Sequence, residues 1–297
     1  MGEKGIAMGE GEEGAAEGTA ASRRAAGWAK RVASAAALLF WLVLFWLLGR
    51  GVPLADAILI GALVAGLPGL TLAQLPLVGV TEIRRLPAYW SSMAVHWLLG
   101  SASWLVGTAG GAGPEGVGLA PIGPVALAAW SGALLAGGLL VMLASKHVTA
   151  ALGADESRAL RALLPRSARE KRVFALLSLT AGLAEELAYR GYLILTLAPL
   201  LGTAGAAVLS SLLFGVVHAY QGVLGVARTA VLGGALAAGF LVAGSLWPAI
   251  VGHALIDLVG GLVLGEGLLP PADPAGVGDG SDQPPPEDGD PPPGKKT

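Results

Sequence analysis

The sequence predicts an all-α fold, a polytopic helical bundle that crosses a membrane about eight times. Three observations carry that expectation. The 297 residues are 54% hydrophobic, with a mean hydropathy of +0.67. Charged residues make up only 13% of the chain, against about 25% in an ordinary soluble domain. The apolar residues also fall into runs of about 20, long enough to cross roughly 30 Å of hydrocarbon at about 1.5 Å per residue and too long for barrel strands.

In chain order, residues 1–22 are mostly Gly, Ala and Glu, too poor in large apolar side chains to offset the entropy of ordering, and are expected to form a disordered cytoplasmic tail. The apolar runs then follow at 32–48, 54–79, 89–109, 123–144, 173–197, 203–220, 223–243 and 246–264. The first follows Arg23, Arg24, Lys30 and Arg31; its late position after an acidic tail favours a retained anchor over a secretory signal. Residues 266–297 are dense in Pro, Gly and Asp and are expected to be an extended, disordered tail. The chain thus divides into the two tails, an N-terminal membrane region with a basic loop at 23–172, and a C-terminal helical core at 173–265.

Lys and Arg set the orientation. They collect before the first run, at Arg84 and Arg85, and between Lys146 and Arg172, whereas the connections after the third, fifth and seventh runs carry none. That alternation predicts both termini in the cytoplasm. The 46 Gly, with abundant Ala, suit close helix packing. A net charge of −2 and a pI near 6.1 give no basic field for nucleic acid. With Cys 0, disulfides, thiolate nucleophiles and Cys-ligated metal sites are excluded.

An ionisable residue inside a span costs about 2.5 to 3.5 kcal/mol on insertion scales, so clustered ones call for a reason. The fifth run carries Glu185, Glu186 and Arg190. Glu186 and Arg190 are four apart, share a helix face and are expected to pair. Glu185 is rotated by about 100° from Glu186 and is expected to be an unpaired carboxylate, the candidate general base. The sixth run places Phe214 and His218 on one face, and the eighth does the same for His253 and Asp257. There Asp257 is expected to fix the tautomer of His253. His96 and His147 have no partner at helical spacing and read as structural or interfacial. Three apolar spans with polar groups find a common solution in a shared, water-holding cavity, with a kit suited to hydrolysis.

The ordered set Glu185-Glu186-x-x-x-Arg190, Phe214-x-x-x-His218 and His253-x-x-x-Asp257 resembles the three motifs of the CAAX-protease and bacteriocin-processing family, also called CPBP or Abi. Tyr189 and Gly191 around the arginine fit the same pattern. The resemblance implies an intramembrane glutamic endopeptidase in which Glu185 and His218 activate water, while His253 and Asp257 hold that water or form the oxyanion site. Glu186, Arg190 and Phe214 would support them. The last motif position is often Asn in the family; an ionised Asp257 cannot donate to an oxyanion as Asn does.

The resemblance implies no required cofactor. The alternative is zinc held by Glu185, His218, His253 and Asp257. The expected partners are the lipid bilayer and a membrane-anchored protein or peptide substrate, and the Ala- and Gly-rich composition suits a bacterial inner membrane. Two other readings stand beside the protease: a non-enzymatic scaffold or immunity protein whose polar cluster only fixes helix packing, and a proton-coupled transporter.

Overall fold

A computed structural model describes residues 6–77, 83–152 and 158–268, which are helical apart from turns and short connections. Helix α1 spans Ile6–Gly49. Helix α2 runs over Leu54–Gln74, with a π-helical turn at Ala62–Gly66, and α3 over Arg85–Gly107. Helix α4 is Pro124–Ala151, and a short α5 is Arg158–Leu163. Helix α6, Ala168–Glu185, continues through a π-helical segment, Glu186–Ile194, into α7, Leu195–Val216. Helices α8, Val223–Ala243, and α9, Trp247–Leu258, complete the bundle, α9 extended by a π-helical turn at Val259–Leu264.

Six helical stretches are long and apolar enough to cross a membrane: Ser22–Gly49, Leu54–Gln74, Pro124–Ala151, Ala168–Val216, Val223–Ala243 and Trp247–Leu264. The 49-residue stretch Ala168–Val216 is two passages, because Gly202 at φ 73° and ψ 155° breaks the helix three residues after Pro199. Helix α3, at 23 residues, has the length of a span but a more polar composition, since it carries His96 and several serines. The protein is therefore a polytopic membrane bundle of about eight helices.

Local sequence explains the helix ends. Ser167 and Glu170 form a reciprocal capping box on α6, Oγ of Ser167 accepting from the Glu170 amide at 3.2 Å and Oε2 of Glu170 accepting from the Ser167 amide at 2.9 Å. Helices α4 and α9 carry Pro in their first turn, where the missing N–H costs nothing. Gly244, at φ 65°, ends α8 in the left-handed region.

The tail reading changes at the N-terminus. The backbone is helical from Ile6, so the helix of the first span extends back through most of residues 1–22. Ala and Glu cannot build a core, but both are strong helix formers, and propagation from a formed span needs no new nucleus. The second run, read to residue 79, ends as α-helix at Gln74, followed by a 3₁₀ turn to Leu77. Residues 269–297 of the Pro-rich tail lie outside the described residues.

The interior lies around the Glu186–Ile194 segment. Tyr189, Tyr192, Leu193, Ile194 and Phe214 are buried with Leu47, Ile60 and Leu63 of α1 and α2. A second cluster joins Leu134, Leu236, Phe240, Leu246 and Ile250 of the later helices. The outer faces of α1, α3 and α4 expose Leu38, Trp41, Phe45, Trp97, Leu98 and Leu140, an arrangement fitted to lipid rather than water.

Candidate active site

Small residues set the spacing of the helices that carry the polar groups. A methyl group on Gly182 of α6 would lie 3.0 Å from the Ala254 amide nitrogen and from the Ile250 carbonyl oxygen of α9. One on Gly100 of α3 would lie 3.2 Å from the Ala184 Cα. Both contacts bring backbones together, as small residues do in membrane bundles. They flank the acidic pair: Gly100 is one turn from His96 on α3, and Gly182 is one turn before Glu186. Glu185 ends the regular part of α6 and Glu186 opens the π-helical segment, an irregularity frequent at functional sites.

Behind the site, Glu186 and Arg190 are fully buried and joined by an Arg190 Nη1 to Glu186 Oε1 hydrogen bond of 2.6 Å. The same oxygen accepts from Nδ1 of His253 at 2.8 Å. Asp257, expected to orient this imidazole, instead stands 3.8 Å from Nε2. Glu186 therefore fixes the His253 tautomer: with Nδ1–H donated backwards, Nε2 faces forward. The i, i+4 spacing put Asp257 within reach of the ring, but a carboxylate on another helix occupies the better position. Phe214 joins these parts, its ring 4.1 Å from the Arg190 guanidinium carbon and 5.8 and 4.8 Å from the rings of His253 and His218.

In front of this network, Glu185, His218, His253 and Asp257 line one cavity of about 250 Å³, together with His96 and Tyr220. His218 lies just past the end of α7, and its Nδ1 is 2.8 Å from the Phe214 carbonyl oxygen. A carbonyl only accepts, so Nδ1 carries a proton, and in the neutral ring Nε2 presents the lone pair. Nε2 of His253 is 3.7 Å from Oε2 of Glu185, beyond direct hydrogen bonding. Burial pushes the Tyr220 phenol up to about 12, which keeps a neutral hydroxyl beside the cavity.

Glu185 is not the unpaired carboxylate that the spacing suggested. Its Oε1 accepts from Nε2 of His96 at 2.8 Å. His96 is thus the site residue that sequence reasoning missed. Its partner is 89 positions away on another helix, and the only signal for it was an imidazole inside a span. His147 is exposed on α4, away from the cavity lining. Zinc was the alternative expectation for these side chains; among the described residues no group of three His, Cys, Asp or Glu is placed to hold a metal ion.

The cavity lining extends toward one end of the bundle. Its outer lining comes from the start of α3, the far end of α4, the beginning of α6 and Leu160, Leu163 and Leu164 at and after α5. This is the end where Arg84, Arg85, Lys146 and the α5 arginines collect.

Residues 170–259 match the family described as type II CAAX prenyl endopeptidase Rce1-like. The segment contains all three motifs from Glu185 to Asp257, in agreement with the resemblance read from the sequence. No curated protein and no solved structure matches the chain. The apolar helices describe an integral membrane protein, and the part of it that carries the three motifs is similar to a family of CAAX-type endopeptidases.

Proposed function

We propose that this protein is a glutamic intramembrane endopeptidase that cuts a peptide bond close to the membrane in a lipid-anchored or membrane-spanning protein, with no metal ion. The observation that supports this reading best is the convergence of Glu185, His218, His253 and Asp257 on one cavity inside an apolar bundle.

In this reading a water molecule lies between Glu185 and the Nε2 lone pair of His218. Glu185 takes one of its protons as the oxygen bonds to the substrate carbonyl carbon. The carbonyl oxygen becomes an oxyanion, to which His253 donates from Nε2 in its imidazolium form while Glu186 holds Nδ1. Asp257 orients the water or, carrying a proton, adds a second donor. Collapse of the tetrahedral intermediate breaks the C–N bond, and the proton held by Glu185 passes to the leaving amine. Buried Arg190 holds Glu186 in place, and Phe214 supports both imidazoles.

Positive-inside orientation puts the basic end of the bundle in the cytoplasm, with both termini, so substrate enters from the cytoplasmic side of what the composition suggests is a bacterial inner membrane. The name of the matching family points to a substrate cut near a lipid-modified C-terminus. The test is mass spectrometry of membrane-protein termini from cells carrying wild type or the Glu185→Ala or His218→Ala variant. Termini that appear only with wild type, at equal protein levels, are expected; identical termini in all three overturn the assignment.

A further inference from the structure

The Glu185 carboxylate has two unlike oxygens. Oε1 is engaged by His96 at 2.8 Å, whereas Oε2 has Nε2 of His253 at 3.7 Å and no closer ionic partner among the described residues. His96 comes from α3, outside the segment 170–259 that matches the protease family. Its approach is fixed by the backbone contact one turn away, where Gly100 meets Ala184, the residue before Glu185. His96 Nδ1 is buried without a hydrogen-bond partner, so the Glu185 contact is the one polar interaction that the described residues give this imidazole. Leaving one nitrogen of a largely buried ring unsatisfied is costly, and a group kept at that cost calls for a reason.

We infer that His96 is a positioning residue for the proposed reaction: its Nε2–H holds Oε1 of Glu185, so that Oε2 is the oxygen that takes the proton from the attacking water. The inference rests on Glu185 being the water-activating base. A free carboxylate samples several rotamers and offers either oxygen; with one clamped, the other keeps a single direction toward the cavity. Such pre-orientation is worth most in the transition state, so its loss lowers kcat more than it raises KM. The active site then draws on α3 as well as the matched segment, and packing of α3 on α6 becomes part of the catalytic geometry.

The probe is a peptide spanning a bond whose cleavage depends on Glu185 in the mass-spectrometric comparison, turned over by the full chain in lipid vesicles. Three variants are compared. His96→Leu removes the donor; His96→Gln places an amide nitrogen as many bonds from Cα as Nε2 is; His96→Asn is equally polar but one bond short. His96→Leu and His96→Asn are expected to lower kcat about 100-fold with KM within about twofold, and His96→Gln to stay within about fivefold of wild type. If His96→Leu does not accumulate, the contrast between Gln and Asn carries the test. Wild-type kcat in His96→Asn, or equal loss in the Gln and Asn variants, overturns the inference. Cleavage that depends on Glu185 but not on His96 removes the positioning role alone. Failure to find any cleavage that depends on Glu185 removes the functional reading beneath it.

Discussion

Replacing Arg190, which does not line the cavity, with Met strips the buried network of its guanidinium. Arg190 and Glu186 are both 0% exposed, and their hydrogen bond is 2.6 Å long. In Arg190→Met, Glu186 keeps only the His253 Nδ1–H at 2.8 Å, with its other oxygen buried and without a hydrogen-bond partner. Breaking such a pair from one side costs about 3–5 kcal/mol, because the remaining charge stays buried. The stacking on Phe214, at 4.1 Å, is lost as well, although Met still fills part of the space over the ring. The double variant Glu186→Gln with Arg190→Met carries neither charge and keeps an amide oxygen to accept from His253. It should recover about 1–4 kcal/mol relative to Arg190→Met. Reversible unfolding in bicelles measures both changes. A loss below about 1 kcal/mol in Arg190→Met, or a double variant less stable than the single one, would refute the reasoning, since either result means that the buried charge pair is not what the surrounding helices are built around.

Phe214→Leu removes the ring that touches Arg190, His218 and His253; we expect a loss of about 1–3 kcal/mol and a lower kcat, read from unfolding and turnover of the same preparation. Gly182→Val puts side-chain atoms where a methyl group already meets backbone at 3.0 Å, so α6 and α9 must separate; a drop of about 100-fold in turnover is expected. Asp257→Asn supplies a hydrogen-bond donor without needing a proton and should retain activity within about tenfold of wild type, whereas Asp257→Leu should not. If the metal-free reading is correct, 1,10-phenanthroline leaves cleavage unchanged and purified active protein contains zinc far below one atom per chain; loss of activity restored by zinc counts against it.

The acidic pair was legible in the sequence because its chemistry conflicts with its surroundings. Glu185, Glu186 and Arg190 stand out in an apolar run, and the four-residue step from Glu186 to Arg190 predicts the ion pair that forms at 2.6 Å. The Phe214 and His218 spacing likewise yields adjacent rings, at 4.8 Å. Partners across helices were not legible. His253 and Asp257 share a face, yet Nδ1 of His253 turns to Glu186, 67 positions earlier in the chain. His96 looked partnerless because its partner lies on another helix.

The sequence alone determined that this chain is a multi-span membrane bundle and which polar residues it must shelter, because transfer into hydrocarbon penalises each ionisable side chain wherever the helices finally meet. Tertiary structure decided which oxygen faces which nitrogen. Close approach of the helices at Gly100 and Gly182 brings those groups within reach, and such contacts between remote segments leave no periodic trace along the chain.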